Sequence, residues 1–179
     1  TSTNQFEVIR VTDKQNPVSV IKKTLTGVSG SAPEGWRLYF FDKKIFMVTR
    51  FTAGPEFHIF DVSNPVNPSE IGSGTELGRT VEDITVTKKV VSGITHYYVF
   101  MATDKNSAPL SIYDVVFPTV ATVTVNELTA IEPTFANYQD GQSVYILNNL
   151  LYFGRSSDPS GDELFVYDVT VPETGKFIV

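Results

Sequence analysis

The sequence predicts an all-β fold, a β-propeller-type repeat of four-stranded antiparallel blades, with about three and a half blades in the chain. Three observations predict it. First, a strand–turn–strand stretch recurs as "FEVIRVTDKQNPVSVI" (6–21), "FHIFDVSNPVNPSEI" (57–71), "LSIYDVVFPTVATV" (110–123) and "LFVYDVTVPETGKFIV" (164–179). Second, aligned on Arg10, Asp61, Asp114 and Asp168, the copies stand 51, 53 and 54 residues apart. Self-similarity at such a period marks a propeller or another repeat array. Third, two more strand patterns with a tight-hairpin signal lie upstream of each later copy, so every period holds four strands. A β-sandwich also uses many short strands. It does not require four matching copies, so the propeller is preferred.

Residues 1–26 supply only the last two strands of a blade, C and D. Complete blades, each of strands A to D, then occupy 27–75, 76–126 and 127–179, all within one repeat domain, which makes fourteen strands of four to seven residues each. Strand A should line the centre and strand D the rim. In each copy an alternating strand C runs into a turn containing Pro, and a short strand D follows. Proline fixes φ and withholds a donor, while Asn and Ser can bond to the local backbone. The twin Asn-Pro of 64–68 therefore reads as a stiff corner that resists register slip. "LYFFDKKIFMVTR" (38–50) aligns with "SVYILNNLLYFGR" (143–155) as the A–B hairpin, with "DKK" and "NN" as tight turns. The middle hairpin, 83–103, carries a longer tip turned by Gly93. A short helical turn is expected in the insertion "NELTAIEPTFANYQDG" (126–141).

The half blade poses a problem, because closed propellers have four to eight blades. Either these residues belong to a longer propeller or another chain completes the ring; two copies would give seven blades by arithmetic. An open edge invites strand pairing and self-association.

Composition agrees with strands. The 179 residues are 41% hydrophobic and 12% aromatic, enough for a core, and thirteen Phe and eight Tyr favour strands. A net charge of −6 argues against nucleic acid, and the lysine pairs at 22–23, 43–44 and 88–89 read as solvated hairpin tips. With no cysteine, disulfides, thiolate nucleophiles and zinc knuckles are excluded. No run of 18 apolar residues would span a membrane, and no signal peptide is visible. A start at Thr1 reads as a mature product or an excised piece.

The stretch "FHIFDVSNPVNPSEIGS" (57–73) resembles the LVIVD repeat: an aliphatic run, Asp-Val-Ser, Asn-Pro, a second Pro and a strand ending in Gly-Ser. Residues 8–20, 110–123 and 164–179 match it less completely. The stretch 143–169 is similar to blades in large surface proteins of uncultured candidate-phyla bacteria, some of which carry a pilin-like amino-terminal segment. The resemblance implies a secreted or surface-attached propeller and attaches no catalytic residues.

Candidate site residues are few. Arg50 and Arg155, aligned at the end of strand B, suggest either ligand-facing cations or within-blade pairs with Glu56 and Glu163. Asp83, opening an inner strand, would point near a central channel. In "SSDPSGDE" (156–163), Asp158, Asp162 and Glu163 collect oxygens for a hard cation such as calcium, without EF-hand spacing; a polar hairpin loop is the plainer reading. His58 and His96 lie in different blades and read as solvated or half-buried strand histidines. Tyr97, Tyr98, Tyr145 and Tyr152 read as core more readily than as a sugar platform. No nucleophile elbow, P-loop or dinucleotide fingerprint occurs.

The expected function is thus a non-enzymatic module of a bacterial surface or secreted protein, extracellular, without cofactor, binding protein or glycan at a cell surface for adhesion. One alternative is a propeller enzyme or carbohydrate-binding module with a channel-mouth site among Asp83, Asp140 and 158–163. Another is an architectural spacer or filament subunit.

Overall fold

A computed structural model describes residues 4–28, 34–50, 54–104, 108–128, 140–156 and 163–178. Fourteen strands among the described residues form four antiparallel sheets. A half blade pairs β1 (Phe6–Arg10) with β2 (Val18–Lys23). Blade 1 comprises β3 (Gly35–Phe41), β4 (Lys44–Thr49), β5 (Phe57–Asp61) and β6 (Ser69–Glu70). Blade 2 comprises β7 (Val81–Val91), β8 (Ile94–Thr103), β9 (Leu110–Thr119) and β10 (Thr122–Leu128). Blade 3 comprises β11 (Gly141–Leu147), β12 (Leu150–Arg155), β13 (Leu164–Asp168) and β14 (Lys176–Phe177). Each sheet meanders in chain order, A to D, and the half blade is a C–D pair.

The chain divides into two compact units, Thr1–Gly78 and Arg79–Val179. In the first, the half blade packs on blade 1: Phe6 stacks on Phe60 with ring centroids 4.4 Å apart, beside Leu25 and Met47. In the second, Tyr98, Phe100 and Leu110 of blade 2 bury against Leu151, Phe153 and Phe165 of blade 3. The period-two alternation of the strands supplies these faces. Each large apolar side chain so buried stabilises by about 1.5–3 kcal/mol.

All three A–B hairpins close through two residues with positive φ: Asp42–Lys43 at 52° and 59°, Ser92–Gly93 at 52° and 80°, Asn148–Asn149 at 52° and 62°. This is the type I′ geometry that matches strand twist. The middle hairpin therefore has no longer tip. Its strands are longer instead, eleven residues in β7 and ten in β8, beyond the expected four to seven. At the other extreme, β6 and β14 have two residues each.

The Asp of the repeat sets the C–D turn. Asp61 Oδ1 accepts the Ser63 N–H at 2.8 Å, and Asp168 Oδ1 accepts the Thr170 N–H at 2.9 Å and its hydroxyl at 2.6 Å. Both carboxyls are held below the usual range, first by the Ser63 and Thr170 side chains and then by these backbone N–H groups. Blade 2 has Val116 where a Ser or Thr would stand, and no such turn forms. Strand β9 runs on through Pro118 to Thr119 and passes a register shift opposite Thr122–Thr124, the kind of position where a strand tolerates proline. Of the expected helical insertion, residues 126–128 belong to β10, and 129–139 lie outside the described residues.

Register corrects one alignment. Leu38 pairs with Met47 and Phe41 with Lys44, as Val144 pairs with Phe153 and Leu147 with Leu150. The structural equivalents are thus Leu38 and Val144, and Arg155 matches Thr49 and Thr103 rather than Arg50. The backbone agrees: Thr49, Thr103 and Arg155 each donate an N–H to the residue preceding strand C, at Glu56, Pro109 and Glu163. A slip of one residue turns a side chain to the opposite face, so the two arginines have different surroundings.

Two glycines open strand A where the preceding sheet comes closest. A Cβ on Gly35 would lie 2.8 Å from the Gln5 carbonyl oxygen, and one on Gly141 would lie 2.2 Å from that of Pro109. Gln5 and Pro109 hold the same repeat position, immediately before strand C.

Candidate functional site

Arg50 is half exposed. Its guanidinium lies 3.8 Å from the Trp36 ring centroid, and its Nε is 3.9 Å from Glu34 Oε2. The expected pairing with Glu56 does not form. Glu56 is buried, and its Oε2 accepts the Leu77 N–H at 2.7 Å and the Gly78 N–H at 3.1 Å. Burial raises the Glu56 carboxyl above its ordinary range, and the neighbouring Glu76 adds to the rise. Gln5, at the same repeat position, accepts the Leu25 N–H at 3.0 Å. A Gln or Glu before strand C thus caps the chain leaving strand D, a role invisible without the C–D register.

Arg155 is buried, with its guanidinium 5.1 Å from the Phe165 centroid. Asp83 accepts the Val144 N–H at 3.0 Å, tying strand A of blade 2 to strand A of blade 3. Glu163 offers its carbonyl to the Arg155 N–H, while Asp158 and Asp162 lie outside the described residues. Among the described residues no group of three or more His, Asp or Glu side chains could hold a metal. No helix among them is long and apolar enough to cross a membrane. Tyr97 and Tyr98 are buried, Tyr152 is half-buried and Tyr145 is exposed.

Neither histidine is simply solvated. His58 is fully buried, with Nδ1 2.6 Å from Glu70 Oε1 and Nε2 2.9 Å from the Pro55 carbonyl oxygen. His96 carries the richest chemistry. On β8, its Nδ1 lies 2.9 Å from both oxygens of Asp114 on β9, and its ring stacks on Tyr98 at 6.2 Å. The Tyr98 hydroxyl donates to Glu173 in the C–D turn of blade 3. Burial first, and then Glu173, push the Tyr98 hydroxyl up. Burial would raise Glu173 too, but Tyr98, the local backbone, Lys89 and His96 outweigh it and hold that carboxyl low. A second polar group lies in the same unit. Buried Arg79 donates to Ser111 Oγ at 2.8 Å and meets Glu127 Oε1 at 3.1 Å. Beside them burial pushes the Tyr113 hydroxyl up to about 12.

A carboxylate-oriented imidazole can accept or relay a proton. A nucleophile within reach would be needed for acyl transfer, and among the described residues the hydrogen-bond partner of His96 is Asp114 alone. The sequence reading missed Glu70, Arg79, Glu127 and Glu173. For the His58–Glu70 and His96–Asp114 pairs a signal existed: both join adjacent strands diagonally and can be drawn once the hairpin register is known.

Compared with family models, curated proteins and solved structures, the chain finds no match.

Proposed function

We propose that the chain is a non-enzymatic, LVIVD-like β-propeller module of a bacterial surface or secreted protein that makes protein contacts at a cell surface. One observation carries the reading. Every C–D turn presents an exposed valine: Val11 after β1, Val66 between β5 and β6, Val120 between β9 and β10, and Val171 between β13 and β14, with Val120 90% exposed. A single exposed apolar residue is ordinary. An exposed valine recurs in all four C–D connections, two in each compact unit, and each offers a protein partner an apolar contact. Asp83 and Arg50, by contrast, are engaged in contacts within the fold.

The test is binding of the labelled protein to cells of its source organism, compared with the combined variant Val66→Ser, Val120→Ser, Val171→Ser. Saturable binding lost in the folded variant supports the reading, and equal binding by both removes the turns from it. Turnover of a glycosidase or esterase substrate, abolished by His96→Asn or Asp83→Asn, would replace it with an enzyme.

A further inference from the structure

Blades 1 and 3 offer a like-for-like comparison of their inner strands. Val144 on β11 is 4% exposed, and Ile146 is half-buried, packed into the core of the second unit. Blade 2 lies over β11, with β7 and β8 its closest strands. The equivalent residues on β3 are Leu38 and Phe40, and they are 59% and 61% exposed. The half blade covers Met47 and Phe60 on strands B and C of blade 1. Among the described residues it has no strands A and B to cover Leu38 and Phe40.

The same place has an open backbone edge. Strands β5, β9 and β13, which hold the strand C position, pair on both sides, whereas among the described residues β1 pairs only with β2. Beside that edge lies a cavity of about 250 Å³ between Gln5, Phe6 and Glu7 and the Trp36, Arg37 and Leu38 segment of β3. The apolar face, the unpaired edge and the cavity continue an interface that the half blade already makes with blade 1.

We infer that this surface takes a two-stranded β-hairpin of the strand A–strand B type, supplied from outside these 179 residues, which adds to β1 and covers Leu38 and Phe40. Edge addition gives affinity through backbone bonds and specificity through alternate side chains. The hairpin carries a carboxylate on its first strand, at the position Asp83 holds in β7. In blade 3 that carboxylate receives the Val144 N–H, and in blade 1 the register puts the Leu38 N–H in the same place, with the cation Arg37 adjacent. A second copy of the chain is a poorer occupant. Its three A–B hairpins already belong to complete blades, and its half blade is again a C–D pair. For the same reason two copies do not combine their halves into a seventh blade. The inference concerns a different surface from the C–D turns and does not depend on their role.

A hairpin peptide of residues 81–103, cyclised through Val81 and Thr103, which face one another in the register, is the probe against the full chain. Calorimetry should show saturable one-to-one binding, and hydrogen exchange should show new protection in Phe6–Arg10. The protein variant Leu38→Ser, Phe40→Ser should weaken binding at least ~10-fold through lost apolar cover. Asp83→Asn in the peptide should weaken it about fivefold, the difference between a charge-assisted and a neutral hydrogen bond. The peptide variant keeps the test open if the protein variant fails to fold. No saturable binding, binding indifferent to these changes, or protection confined to other strands would overturn the inference. Self-association of the protein alone, abolished by Phe40→Ser, would overturn it in favour of a second copy.

Discussion

His58 and Glu70 meet across the C–D hairpin of blade 1, Nδ1 to Oε1 at 2.6 Å, while the other ring nitrogen faces the Pro55 carbonyl oxygen. The second oxygen of Glu70 receives both the N–H and the hydroxyl of Thr26, at 3.0 and 2.7 Å. One carboxylate thus joins strand D, a buried ring on strand C and the chain leaving the half blade. Gly74 completes the enclosure, since a Cβ there would lie 2.7 Å from the His58 ring.

Removing that carboxylate should loosen all three. Glu70→Ala is expected to lower the unfolding free energy by about 2–4 kcal/mol, between the worth of a charge-assisted bond and that of a broken buried pair. Urea denaturation measures it. A loss near zero would mean that the cluster does not hold the half blade.

Glu70 and Glu56 should respond to pH with opposite signs. Burial pushes Glu70 up, but His58 and Thr26 outweigh it, so its carboxyl sits below the ordinary 4.5. Its contribution is therefore present above about pH 4.5 and is lost as pH falls through the folded value. Glu56 sits above 4.5 because it is buried beside Glu76. Its contribution is complete below that pH and is lost as pH rises through the folded value. Glu56→Gln, which installs the residue that the half blade has at Gln5, should gain stability relative to the parent as pH rises from 4.5 towards neutrality. Denaturation midpoints across that window decide it, and parallel curves would contradict the assignment.

The two glycines opening strand A should tolerate substitution badly. Gly141→Ala would bring a Cβ against the Pro109 carbonyl oxygen and the Phe153 ring, and a loss of about 2–3 kcal/mol is expected from overpacking against backbone. Gly93→Ala meets open space and strains only a positive φ of 80°, so about 1 kcal/mol is expected. Thermal melting of the two variants should rank them in that order.

Arg50 and Arg155 should separate in the same assay. Arg50→Ala removes an exposed stack on Trp36, worth about 0.5–1 kcal/mol. Arg155→Ala empties a buried site beneath Phe165 and should lose about 2 kcal/mol or more. Equal losses would restore the equivalence that the register denies.

The fold class was legible because it rests on local signals that repeat. Alternation, two-residue turns and the Asp-Val-Ser/Thr corner each act within a few residues, so four copies state the strand order without reference to distant contacts. What fails is anything that depends on parity or on a neighbouring sheet. A one-residue slip at the B strand placed Arg50 beside Arg155 on paper, although pleating turns them to different surroundings. Asp83 looked available to a ligand until the Val144 N–H of the next blade reached it. His58 looked half-buried until Glu70 and Pro55 closed over it. Sequence by itself determined the strands, their hairpins and the C–D pairing of the half blade, because backbone chemistry is local. Tertiary structure alone decided which polar groups are engaged and which apolar face, at Leu38 and Phe40, stays open, because burial is set by the sheet packed on top.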